Sequence, residues 1–203
     1  QAYVQANDPD GNLSAVEMRL YTPSGNPTDS IYTLVHIVGA TYVLPLSAAF
    51  AAGHPSGDYT FKCYAYDTYN LHSDTLSQTV YMENLPAHLT DPILPDTITL
   101  PVPGDTTYFP IMIRCWDDQG VGDLASVTMQ ALKPDQSLGP VVDMFDDGNL
   151  QVYGDSLAGD SVYTRVVFIW PSNILGLYQF HFRSTDQAGN HNEIIDSLWV
   201  ITP

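Results

Sequence analysis

The sequence predicts an all-β protein made of two tandem β-sandwiches. Three observations carry that prediction: a strand-forming composition, apolar residues that alternate by twos, and a strand-and-turn pattern written twice. The 203 residues include 13 Tyr, 14 Gly and 15 Pro, with Val and Thr plentiful. β-branched and aromatic side chains fit a pleated, half-buried surface, and Gly and Pro punctuate it with turns. In "GDYTFKCYAYD", starting at Gly57, Tyr59, Phe61, Cys63 and Ala65 fall on one face, and Thr60, Lys62 and Tyr64 on the other. That is the pattern of a half-buried strand. Strands recur roughly every 10 to 15 residues with turn signals between them, as in a sandwich. Each half is long enough to bury a core of its own.

The repeat is visible directly. "YVQANDPDGNLSAVEMRLYTPSG" from Tyr3 matches "MIRCWDDQGVGDLASVTMQALKPDQ" from Met112. Each is an apolar strand, an acidic turn with Gly, and "L-x-x-V" opening a second strand. "GDYTFKCYAYDTYN" from Gly57 matches "GLYQFHFRSTDQAGN" from Gly176. Tyr59 then pairs with Tyr178, Phe61 with Phe180, Cys63 with Phe182 and Asp67 with Asp186. Helical periodicity is confined to "LSAAFAAG", residues 46–53, where a turn or two would end at Gly53. The first domain is placed at 1–84 and the second at 95–203. Residues 85–94 form a proline-bearing linker without alternation. Such a linker is semi-rigid and predicts an elongated rod.

Domain two opens with a strand near Thr97 to Leu100, ahead of a second at Tyr108 to Trp116. Domain one begins at the equivalent of that second strand, "AYVQAND", and so lacks its first strand within this sequence. Either a trimmed or upstream segment supplies it, or a neighbouring subunit or protein partner adds a strand to the open edge. The chain starts at Gln1 with no signal peptide, which reads as a mature or trimmed form.

The "A-N-D-P-D-G-N-L-S-A-V" turn and the "Y-x-F-x-x-x-x-x-D-x-x-G-N" strand end, complete only in the second half, resemble bacterial immunoglobulin-like modules of surface lipoproteins and adhesins. "DDG…GD…AGDSVYT" resembles a recurrent motif of one such module, usually written with Gly where this chain has Ser161. The resemblance implies an immunoglobulin-like sandwich for each half. It carries little about function, because the fold hosts many roles.

Net charge is −17, with Lys and Arg totalling 6. Nucleic acid and anionic membrane surfaces would repel such a chain. A divalent cation, a basic partner or simple solubility fits better. No apolar run reaches the roughly 18 residues of a membrane span. Calcium takes oxygen ligands from carboxylates, amides, backbone carbonyls and water, and three acidic clusters qualify. The foremost is the loop "DDGNLQVYGDSLAGDS", an insertion that domain one replaces with "VGA". It offers Asp146, Asp147, Asn149, Asp155 and Asp160. It does not have the spacing of an EF-hand. The second cluster is Asp8 and Asp10 in "NDPDGN", with Asp67 nearby. The third is its counterpart, Asp117 to Asp123 with Asp186. Each is open to two readings, a calcium site or a solvated turn whose Asp and Asn bond their own backbone.

Cys63 and Cys115 fall in different domains, as buried free thiols packing like small hydrophobes. The histidines have no zinc-ligand spacing. No nucleophile elbow, phosphate loop or dinucleotide turn is present. Trp116 and Trp199 are expected in the domain-two core, and Trp170 at an exposed strand end. The reading is a non-enzymatic extracellular or cell-surface protein with a structural or adhesive role, as a spacer, surface-layer component or filament subunit stiffened by calcium. The alternative is a carbohydrate- or protein-binding module.

Overall fold

The computed structural model describes residues 1–45 and 53–202. The short helical stretch expected at 46–53 lies essentially outside them. Two compact units form, Gln1–Asn84 and Leu85–Pro203, each an all-β sandwich with its own core.

Unit 1 contains β1 (Ala2–Gln5), β2 (Leu13–Tyr21), β3 (Pro27–Thr33), β4 (Val35–Val38), β5 (Thr41–Leu44), β6 (Gly57–Asp67) and β7 (Leu76–Met82). One sheet runs β1-β5-β4 and the other β3-β2-β6-β7. Alternation decides what is buried. Val16, Met18 and Leu20 of β2 and Tyr59, Phe61 and Cys63 of β6 point inward, and Leu34 closes the core. Burying a side chain of that size contributes about 1.5–3 kcal/mol.

Unit 2 contains β8 (His88–Ile93), β9 (Thr97–Thr99), β10 (Thr107–Trp116), β11 (Leu124–Leu132), β12 (Leu138–Asp143), β13 (Val162–Ile169), β14 (Gly176–Asp186) and β15 (His191–Ile201). The sheets run β13-β10-β8 and β12-β11-β14-β15-β9. Ile111, Ile113 and Cys115 of β10 face Val127 and Met129 of β11 and Tyr178, Phe180 and Phe182 of β14. The paired residues of the repeat, Tyr59 with Tyr178 and Phe61 with Phe180, are buried in both units.

Two expectations need correction here. Residues 85–94 are not a linker. Ala87 and Leu89 are buried, and β8 pairs antiparallel with β10, Leu89 opposite Cys115. The opening strand of unit 2 is split: β8 joins one sheet, and β9 crosses over to pair in parallel with β15. The crossing itself is made by residues 94–96; within β8, Asp91, in the left-handed region at φ 51°, and Pro92 make a bulge between Thr90 and Ile93. They also erase the alternation by which a strand is recognised. Trp116 and Trp199 are not core residues either. They are 37% and 52% exposed, because Ile111, Ile113 and Cys115 set the inward parity of β10 and leave Trp116 outward. Trp170 is 50% exposed, as its place before Pro171 suggested.

Unit 1 has no equivalent of β8 or β9 among the described residues, so β1 and β7 are sheet edges there. Cys63 and Cys115 are free and buried, each in its own unit's core.

Candidate cation centres of unit 2

The acidic turn between β10 and β11 meets the turn after β14. Register explains the meeting, because Leu124 lies opposite Asp186. Carboxylate oxygens of Asp117, Asp123 and Asp186 lie within 4.8 Å of one another. Asp123 is fully buried, Asp186 is 2% exposed and Asp117 8%. Asp117 Oδ1 accepts the Gln119 amide at 2.7 Å. Asp186 accepts the backbone and side-chain N–H groups of Asn190 at 2.7 and 2.8 Å. Asp117 Oδ2 is buried with no hydrogen-bond partner, and so is Gln119 Oε1 in the same turn. Burial pushes the Asp117 carboxyl above the ordinary carboxylate range, against the Gln119 amide, and the neighbouring charges of Asp123, Asp186 and Asp118 push the same way. Three buried carboxylates need a compensating positive charge or a proton. The oxygen-only donor set suits a hard divalent cation such as calcium.

The second centre is the insertion between β12 and β13. Unit 1 crosses the same place in the few residues between Leu34 and Thr41. The correspondence is structural: the amides of Leu34 and Met144 donate to Val16 and Val127, respectively, both at 2.9 Å. Asp146, Asp155 and Asp160 bring oxygens within 4.8 Å of one another. Asp155 is 2% exposed and accepts the amides of Gly148 at 2.5 Å and Leu157 at 3.2 Å. Asp146 accepts those of Gly159, Asp160 and Ser161. Phe145 stacks on Tyr153, centroids 4.1 Å apart, and fastens the loop to the sheet. Gly154, at φ +85°, leaves 3.1 Å between a built Cβ and Val166 Cγ2, so the loop needs glycine there.

The structure therefore gathers three of the five loop residues named from sequence. Asp147 and Asn149 stay outside. They are exposed and accept the amides of Asn149 and Val152, which makes them turn formers. Both centres supply carboxylates with backbone amides, but of the two only the β10–β11 centre keeps a buried carboxylate oxygen without a partner, Asp117 Oδ2.

In unit 1, Leu13 lies opposite Asp67, so Asp8, Asn12 and Asp67 occupy the places of Asp117, Asp123 and Asp186. Asp8 accepts the amides of Asp10 and Asn12, and Asp67 those of Tyr69 and Leu71. Asp10 is exposed. An amide stands where unit 2 has its deepest carboxylate, and among the described residues no three acidic groups converge there. The residue that sequence reasoning ranked too low was Asp123. Its signal was present: the Asp immediately before "L-A-S-V" is Asn12 in the other copy.

The Cys115 thiol lies beneath the first centre. Burial, with help from the Asp117 charge, pushes it up to about 12, so it stays a neutral thiol and no nucleophile.

No family model matches the chain, and no curated protein matches it. Among solved structures it is similar to a tetra-tandem repeat from the extending region of a large adhesion protein, at 14% identity and TM-score 0.40. That match covers 92% of this chain and 42% of the other, so the chain spans less than half of that structure. It is also similar to fibronectin(III)-like modules of Clostridium thermocellum CbhA, at 13% identity and TM-score 0.36, covering 98% and 84%. A two-domain fibronectin type-III segment of chicken tenascin matches at 9% identity and TM-score 0.34, covering 97% and 90%. At these identities and TM-scores the likenesses carry no argument about activity.

Proposed function

We propose that the chain is a non-enzymatic structural or adhesive module of an extracellular or cell-surface protein, and that its second unit is stiffened by calcium. The observation that carries this reading is the buried Asp117–Asp123–Asp186 centre with its unpartnered Asp117 oxygen. A buried carboxylate without a partner is costly. A bound cation removes that cost in the folded state alone, and stability rises with cation concentration by mass action. The centre joins the β10–β11 turn to the end of β14, so cation binding ties the two sheets together at one pole of the sandwich. The Asp146–Asp155–Asp160 loop is a second and weaker calcium candidate, because none of its carboxylate oxygens is buried without a partner.

Calcium titration of the purified chain by calorimetry tests the assignment. Wild type should bind calcium in preference to magnesium. Asp117→Asn should lose at least about tenfold in affinity, or about 1.4 kcal/mol. Asp155→Ala with Asp160→Ala should leave the tighter phase in place. If Asp117→Asn binds as wild type does, the centre is not the site.

One observation favours the carbohydrate-binding alternative. Tyr108, Phe168 and Trp170 form an exposed aromatic strip, with centroids 6.0 Å apart for Tyr108 and Phe168 and 4.7 Å for Phe168 and Trp170. Such rings can stack on sugar faces. Titration with soluble polysaccharides should quench tryptophan emission, and Trp170→Ala should abolish the quench. Unchanged emission would remove this reading.

A further inference from the structure

We propose that unit 1 binds an acidic sugar, one that carries a carboxylate, on the outward face of its β3-β2-β6-β7 sheet. Arg19 and Lys62 are the only Lys or Arg among residues 1–84 of a chain with net charge −17. β2 and β6 place the two directly opposite each other. Cβ atoms so paired lie about 4.5–5.5 Å apart, and like charges there are destabilising. Among the described residues neither cation has an acidic partner. Lys62 Nζ sits 4.2 Å from the centroid of the Tyr21 ring. Glu17, on the same face of β2, has both its oxygens engaged by hydroxyls, that of Tyr64 at 2.7 Å and that of Tyr66 at 3.0 Å.

The second unit shows that the fold does not require this pair. By register, Arg19 and Lys62 stand where unit 2 has Gln130 and His181. There His181 Nδ1 lies 2.8 Å from Glu193 Oε1, so unit 2 sets a carboxylate beside its basic group. Leu76 lies opposite Cys63 as Ile194 lies opposite Phe182, which puts Thr75 in the place of Glu193. Unit 1 therefore has two cations at this position and no acid. An anion that reaches both groups removes their repulsion, and that complementarity defines the ligand.

Arg19, Tyr21, Lys62, Tyr64, Thr75 and Ser77 line an open groove of about 550 Å³, within the roughly 300–1,000 Å³ of ligand sites. Every one of these side chains ends in a hydrogen-bonding group. The Arg19 guanidinium is a planar fork that matches a carboxylate, and the Lys62 ammonium is a point charge beside it. The hydroxyls of Tyr21, Thr75 and Ser77 both donate and accept, as sugar hydroxyls do. An acidic peptide fits less well. Peptides commonly gain affinity from backbone bonds along a free strand edge or from apolar pockets. Here the cations stand on β2 and β6, the inner strands of the sheet, and no aliphatic side chain lines the groove.

The probe is trigalacturonic acid, added to the full chain in EDTA, with neutral galactotriose and triglutamate as comparisons. Amide chemical shifts of β2 and β6 are followed by NMR. Wild type should show saturable shifts with millimolar trigalacturonate and bind the neutral sugar at least about tenfold more weakly. Arg19→Gln with Lys62→Gln should weaken binding at least about tenfold, while the melting temperature holds or rises because a repulsive pair is gone. Thr75→Glu gives unit 1 the acid of unit 2 and should weaken binding likewise, with both cations left in place. No shifts at millimolar trigalacturonate overturn the proposal, and so does equal binding of the neutral sugar. Triglutamate binding as tightly as trigalacturonate overturns it too, since the ligand would then be an acidic peptide. Wild-type affinity in either variant does the same. Because the experiment reads β2 and β6 and is run in EDTA, its outcome is independent of the calcium reading and of the aromatic strip in unit 2.

Discussion

Ser161 shows how one side chain stores strain in this fold. It stands in the left-handed region at φ 67°, where a Cβ costs roughly 1–2 kcal/mol. Its amide is held by Asp146 Oδ2 at 2.9 Å, and its carbonyl accepts the Cys115 amide at 2.9 Å. Ser161→Gly should keep both bonds and stabilise unit 2 by about 1 kcal/mol, seen as a higher melting temperature. Asp117 gives the second prediction at this scale. Its folded-state carboxyl is raised, first by burial and then by Asp123, Asp186 and Asp118. The folded state therefore holds that proton more tightly than the unfolded state does. The stabilisation this proton gives is complete below the usual carboxylate range and is lost as pH rises through the raised value. In EDTA, the Asp117 contribution should make unit 2 less stable toward neutral pH, and Asp117→Asn should remove that slope. Calcium and the proton compete for the same oxygens. The calcium-induced rise in melting temperature should therefore shrink as the solution is acidified.

At the scale of elements, the acidic loop is built on Asp155. Its two oxygens hold the amides of Gly148 and Leu157, and it is almost wholly buried. Asp155→Ala removes two hydrogen bonds to a charged group and should cost about 1.5–3 kcal/mol with or without calcium. Asp160 is exposed and accepts only the Val162 amide among its described bonds, so Asp160→Ala should cost well under half as much. Chemical denaturation in EDTA measures both. The insertion was legible in sequence because the repeat made its absence from the other half visible. The ligand set was less legible. Asp147 and Asn149 have the right chemistry, but they face solvent, and chain direction within a turn cannot be read from spacing. β8 was missed for a related reason. A strand that is bulged at Asp91 and Pro92 and then changes sheets keeps its alternation for only a few residues, and prolines read as a break.

At the scale of the whole molecule, the repeat made the double sandwich readable, because strands of period two dominate and each unit's core follows from parity. The opposite error, placing Trp116 and Trp199 inside, came from reading size instead of parity. The two units differ in a useful way: the three tryptophans, Trp116, Trp170 and Trp199, all lie in unit 2. Tryptophan emission therefore reports that unit alone, and Trp116 adjoins Asp117 in sequence. The most direct test of calcium stiffening is a thermal melt of the full chain followed by tryptophan emission, in EDTA, in millimolar calcium and in millimolar magnesium. A calcium-specific rise of several degrees in that transition is expected, and it should be absent in Asp117→Asn. Coincident melts in all three solutions would contradict calcium stiffening.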